Sequence, residues 1–326
     1  MSRLLLSALL ATAGLLHLVS PELFDPAIPF APKSAINILA GILEIILASG
    51  LWFERTRDHA ARLSALWFLL LTPVHVYVSW QRIPMFGVSE PLLLWLRTLL
   101  QPALYFWALS LQKSGWLMAQ RWREVAFLHY ECDASELQER VPFPLDLFEG
   151  KAIVSIVPFI MEGIRFPFLP PVPGLSSLLE LNLRTYVTVN GRRGVYFFTL
   201  DSNHLPGVLI ARGFFALPYR WIKLAFKPNY QFHSPTLKLT GEIGNPRAST
   251  TFDLWATERY ALFTQRGSQT LMGVVMHGPW PLQDFKVTQL SDQFSSMLGK
   301  ELALKSCLAT SYCARLDVRF RPFQKI

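Results

Sequence analysis

The chain has 326 residues, 51% of them hydrophobic and only 17% charged, with a formal net charge of +8 and a mean hydropathy of +0.29. That is too apolar for an ordinary soluble enzyme, and the length allows two domains. The positive charge does not by itself indicate nucleic acid: no nucleic-acid motif is present, and basic residues beside a membrane face anionic lipid.

The apolar excess lies before about residue 112, in segments at 3–19, 34–53, 63–80 and 91–110. Each approaches the ~20 residues that cross a ~30 Å hydrocarbon core. The first segment carries Arg3 and an Ala-x-Ala at Ala11 to Ala13, the form of a signal-peptide cleavage site. Apolar sequence continues to Val19, so the segment is read as a retained helix. Arg55, Arg57 and Arg62 follow the second segment, and Lys113, Arg121 and Arg123 follow the fourth. The alternate loops hold one basic residue each, which places both termini on the cytoplasmic side of an inner membrane crossed four times.

Polar residues inside membrane helices mark function or tight packing. Here they are His17, Asn37, Glu44, His75, Arg97 and Gln101. At ~1.5 Å per residue, most fall in the outer half of the bilayer, with Glu44 and Gln101 near its middle. Glu44 and Arg97 are the expected ion pair, since either alone in lipid is costly. Two readings stay open: a polar plug that fixes helix register, or a pocket for a ligand or redox cofactor.

The stretches "AGLLHLVSPELFDPAIPFAP", "AGILEIILASGLW", "TPVHVYVSWQRIP" and "LRTLLQPALYFWAL" resemble the DoxX-like family of small four-helix membrane proteins. The resemblance covers about residues 1–110. It implies a four-helix bundle over 1–112 and, through relatives linked to sulfur oxidation, a quinone at the bundle. No motif indicates any other cofactor. Cys132, Cys307 and Cys313 form neither a CxxC pair nor a zinc spacing, so no metal site is expected.

After a linker at 113–121, residues 122–326 read as α+β. "REVAFLHYEC" and "KAIVSIVPFIMEGI" are strands, and "DASELQERV" starts a helix with Asp133 as its N-cap. A strand at 180–189 turns at Asn190-Gly191, a strong hairpin signal, and "VYFFTLDS" returns. "PGVLIARGFFALPYRWIKL" reads as two helices broken near Pro218. A strand near 229–240, a hairpin at "RGSQ", a helix near 290–300 and a last strand "YCARLDVRF" complete the pattern.

The stretches "LFEGKAIVSIVPFIMEGIR", "PGLSSLLELNLRTYVTVNGRRGVYFFTLD", "TERYALFT" and "HGPWPLQ" resemble the YqjF-like family of uncharacterised proteins. That family is similar in fold to acetoacetate decarboxylase, a twisted β-barrel flanked by helices. The resemblance therefore implies a membrane all-α bundle followed by an acetoacetate-decarboxylase-like barrel. Decarboxylation is not carried over. That chemistry uses a Lys Schiff base with a second Lys beside it, and this sequence has no Lys-Lys pair.

"ELNLRTY" places Glu180, Asn182, Arg184 and Tyr186 on one strand face, and Leu181 and Leu183 on the other. In a barrel those four residues line the cavity. Arg212, Tyr219, Glu258, Tyr260 and His277 are further candidates. A Glu with an Arg binds a substrate carboxylate or orients a water, and His277 could move protons. The candidate catalytic set is Glu180, Arg184, Glu258 and His277; the alternative is a buried network that only satisfies itself. Three functions compete: an enzyme on a small anionic metabolite, a sensing or redox module, and an anchored scaffold.

Overall fold

The computed structural model describes residues 2–299, 304 and 307–326. The chain forms two compact units, one ending at Leu117 and one starting at Met118.

The first unit holds α1 (Ser2–Val19), α2 (Lys33–Trp52), α3 (Arg57–Trp80) and α4 (Pro91–Ser110). All four are long and apolar enough to cross a membrane. Their apolar residues also point outward, as with Leu92, Leu99 and Ile46, which suits lipid rather than water. α1 meets α2 at glycine: a Cβ on Gly41 would stand 2.7 Å from the Gly14 carbonyl oxygen. Such close approach is how small residues let membrane helices pack.

The expected Glu44–Arg97 ion pair is not formed. Glu44 Oε1 instead accepts from Trp67 Nε1 at 2.9 Å, and the Arg97 guanidinium lies 5.6 Å from the Phe86 ring centroid. The physical reason is the packing order: α2 packs on α1 and α3, while α4 packs on α3. Nor do the six polar residues form one cluster. His17 Nδ1 meets Asn37 Oδ1 at 2.8 Å, and Asn37 donates to Asp25 at 2.7 Å. The carbonyl of His75 accepts from Thr98, and Gln101 is buried with its Oε1 unpartnered. Glu44→Gln and Arg97→Gln should therefore add within about 0.5 kcal/mol in a double-mutant cycle on the detergent-solubilised chain. A coupling well above that would mean the two side chains touch.

The second unit runs β1 (Met118–Cys132), α5 (Ala134–Gln138), β2 (Ala152–Arg165), β3 (Leu178–Val189), β4 (Arg192–Ser202), α6 (Leu205–Phe215), β5 (Tyr219–Trp221), β6 (Ala225–Lys227), β7 (Gln231–His233) and β8 (Leu237–Pro246). It continues with α7 (Thr251–Thr257), β9 (Ala261–Arg266), β10 (Gln269–Met276), β11 (Leu282–Asp292), β12 (Cys307–Phe320) and β13 (Gln324–Lys325). Asp133 caps α5 by accepting from the Ser135 and Glu136 amides. Asn190 and Gly191 both take positive φ, 50° and 73°, which a tight turn between β3 and β4 demands.

The strands form one sheet in the order β13-β10-β9-β4-β3-β2-β1-β12-β11-β8-β7-β6, with β5 beside β4. A further pairing of Val275 with Phe320 and Met276 with Arg319 joins β10 to β12, so the hydrogen-bonded path returns on itself. Both faces are covered. Leu181, Leu183 and Val187 of β3 pack with Leu128, Ile156 and Phe263. Tyr186, one residue out of phase, packs with Phe127, Val157 and Trp255.

Three expected elements differ. The second half of "PGVLIARGFFALPYRWIKL" is no helix: Ala216 turns left-handed at φ 53°, ending α6, and β5 then pairs with β4. The strand near 229–240 is a hairpin of β7 and β8. The helix near 290–300 is the end of β11, held by β8, followed by a short 3-10 turn at Ser295–Leu298.

Candidate functional site

Strand register builds a polar row across three strands. His129 of β1 pairs with Ser155 of β2, and Ser155 pairs with Arg184 of β3. Residues directly opposite share a sheet face. On that face His129 Nδ1 lies 2.7 Å from Ser155 Oγ, which lies 2.8 Å from the Tyr186 hydroxyl. All three side chains are fully buried. If Tyr186 donates to Ser155 and Ser155 donates to His129, the imidazole hydrogen on Nε2 is the one left open, and both hydroxyl hydrogens have an acceptor. The opposite direction leaves the Tyr186 hydrogen without one among the described residues. The first direction leaves His129 neutral with its hydrogen on Nε2, open to an acceptor on a ligand. Burial, aided by the Arg184 charge and opposed by Asp253, pushes His129 down to about 3, so it stays neutral at pH 7.

Two residues along β3 the row continues. The Tyr219 hydroxyl donates to Glu180 Oε2, and Asn182 Nδ2 donates to Oε1 at 3.4 Å. Glu180 is 3% exposed. Burial pushes it up to about 7, against the opposing pull of Tyr219, Asn182 and Arg184. Near pH 7 its carboxyl therefore sits between acid and base.

Arg184 is 8% exposed, and its guanidinium lies 5.3 Å from the Phe127 ring centroid and 5.8 Å from that of Tyr186. No ion pair reaches it among the described residues, and its Nε has no hydrogen-bond partner. His129 Nε2, Asn182 Oδ1 and Ser311 Oγ are likewise buried and unpartnered. Ser311 of β12 stands opposite Phe127 of β1, on the same face. Buried polar groups are normally satisfied, so four open positions on one sheet face call for a ligand or water. Among the described residues no three His, Cys, Asp or Glu come together as metal ligands.

Residues 119–315 match DUF2071, a family described as an uncharacterized conserved protein. The chain belongs to the DUF2071 family. It is 33% identical over 234 residues to the uncharacterized protein YqjF of Bacillus subtilis (strain 168), covering 67% of this chain and 96% of the relative. Residues 6–112 match DUF8561, a domain of unknown function; a DoxX-like family is not shown for them. The chain is also similar to the acetoacetate decarboxylase of Legionella pneumophila, at 13% identity and TM-score 0.47, over 64% of this chain and 87% of that one. A structure of the enduracididine biosynthesis enzyme MppR with HEPES buffer bound is similar at 9% identity and TM-score 0.49, over 66% and 90%.

In this DUF2071 domain the remaining expected residues lie elsewhere. Arg212 is exposed on α6. The exposed Tyr260 hydroxyl donates to Glu258, and His277 stacks on Tyr260 with ring centroids 4.6 Å apart. No hydrogen bond or ring contact joins this group to Glu180 among the described residues. Conversely, sequence reasoning missed His129 and Ser155. One signal was present: His129 is in phase with Val125 and Phe127, and Ser155 is the one polar side chain in "AIVSIVPF". It also missed Arg259, buried over Trp255 and Tyr186 and paired with Asp146, which closes the row from α7's end.

Proposed function

We propose that the DUF2071 domain binds a small oxyanion-bearing metabolite, with Arg184 as its counter-ion and His129 Nε2 and Ser311 as further donors. The preceding helices would form a DoxX-like four-helix anchor in an inner membrane, with both termini cytoplasmic, as the basic loops suggest. One observation carries the reading: a buried arginine with no ion-pair partner among the described residues. A buried charge costs several kcal/mol unless something pairs with it, and a ligand anion is the group that would. Glu180, on the same strand face and titrating near neutral pH, would exchange a proton with such a ligand, which favours turnover over passive storage.

Calorimetric titration of the full chain in detergent with acetate, a 2-oxo monocarboxylate and inorganic phosphate tests this. At least one should bind, and Arg184→Lys should weaken it by about tenfold or more, because lysine lacks the bidentate fork. Binding unchanged in Arg184→Lys, or none of the three bound by the native chain, would sink the proposal.

A further inference from the structure

The helix α6 has the wrong surface for water. Only Val208 among its eleven residues is buried. Its exposed arc holds Leu205, Leu209 (62% exposed), Ile210 and Phe214 (73%), with Arg212 at one edge. A helix on a water-facing surface carries polar residues there. The neighbouring strand β5 adds Trp221, 62% exposed, and Lys223 follows it. Arg266 donates to the Gly213 and Phe214 carbonyls, bringing a second guanidinium to the C-terminal end of α6. Charge is one-sided as well. From Ser202 through Lys223 there is no Asp or Glu, and of the basic residues there Arg220 is held by Asp201 while Arg212 and Lys223 have no ion pair among the described residues.

We infer that α6 and Trp221 form a membrane-seating surface, the apolar arc entering the headgroup–acyl boundary of a bilayer rich in anionic phospholipid. An apolar helix face with basic residues at its margin and an amphipathic Trp beside it is the pattern of an interfacial helix. Two facts select lipid over a second copy of the chain. The chain carries membrane-length helices of its own, so a bilayer is always at hand. The charged residues tied to the arc, Arg212, Lys223 and Arg266, are all basic, so two copies repel while anionic headgroups attract. The surface is independent of Arg184 and stands or falls apart from the anion reading.

The test uses the full chain, one copy per nanodisc, in a Cys307→Ser background. An environment-sensitive fluorophore is placed at Leu209→Cys or Phe214→Cys, both at exposed sites that substitution should not unfold. Spin-labelled lipids should quench both probes, with loss of most emission, as they do a reference probe at Leu99→Cys in α4. Replacing phosphatidylglycerol by phosphatidylcholine, or adding Arg212→Glu with Lys223→Glu, should restore emission at 209 and 214 but not at 99. Unquenched probes at both positions overturn the inference. So does quenching indifferent to headgroup and charge.

Discussion

Arg184→Met should make the ligand-free chain more stable while abolishing its anion affinity. Arginine at this position is buried with no ion pair among the described residues, so the fold bears much of its desolvation. Methionine keeps the length of the stem and offers its sulfur to the Phe127 and Tyr186 rings, where the guanidinium now lies. The lost cation–π attraction is worth about 0.5–2 kcal/mol, less than the several kcal/mol that an unpaired buried ion costs. A net gain of about 1–3 kcal/mol follows, which for a unit of this size raises the unfolding midpoint by roughly 2–4 °C per kcal/mol. Thermal unfolding in detergent without added anion reads it. A loss of stability instead would mean that Arg184 already has its counter-charge inside the fold and belongs to a structural network.

Glu180→Gln should change how stability depends on pH. The folded Glu180 holds its proton to about 7, against an ordinary 4.5, so between those values the folded chain keeps a proton that the unfolded chain has lost. Stability from this group is therefore complete below pH 4.5 and falls away as pH rises through 7, by about 3 kcal/mol. His129 acts with the opposite sign. Its folded value of about 3 lies below the ordinary 6.5, so stability rises as pH climbs between them. In the shared window, pH 4.5 to 6.5, the two slopes oppose each other. Removing Glu180 exposes the His129 slope alone. The Glu180→Gln chain should gain on the native chain steadily from pH 4.5 to 7 and hold a constant advantage above it. Melting curves of both chains across that range read the difference; a gap that does not widen would mean Glu180 titrates normally.

What was legible in the sequence was whatever depends on neighbours along the chain. The four apolar runs announce themselves by length alone, and Asn190-Gly191 announces its turn because few residues accept two positive φ values in succession. The alternation at Glu180 to Tyr186 likewise revealed a shared face. Partners across the fold were not legible. His129 meets Ser155 and Arg184 only because three strands settle in one register, and a shift of a single residue would turn each to the other face. Depth counting put Glu44 and Arg97 within reach, yet it says nothing about which helices touch, and Trp67 took the bond. The stretch after Pro218 looked helical until β4 offered it a parallel edge.

The sheet ends where it can do little harm. Its path terminates at one side in β13, two residues long, and at the other in β6, three residues long and followed at once by Pro228, which has no amide hydrogen to give. The longer strands spend their backbone groups on the returning circuit. An open strand of five or six residues is a template on which another molecule's strand can grow, and these stubs offer no such template. For a chain whose four apolar helices are long enough to hold it in a membrane, this means that crowding beside its own copies should not pass into strand exchange or fibril growth.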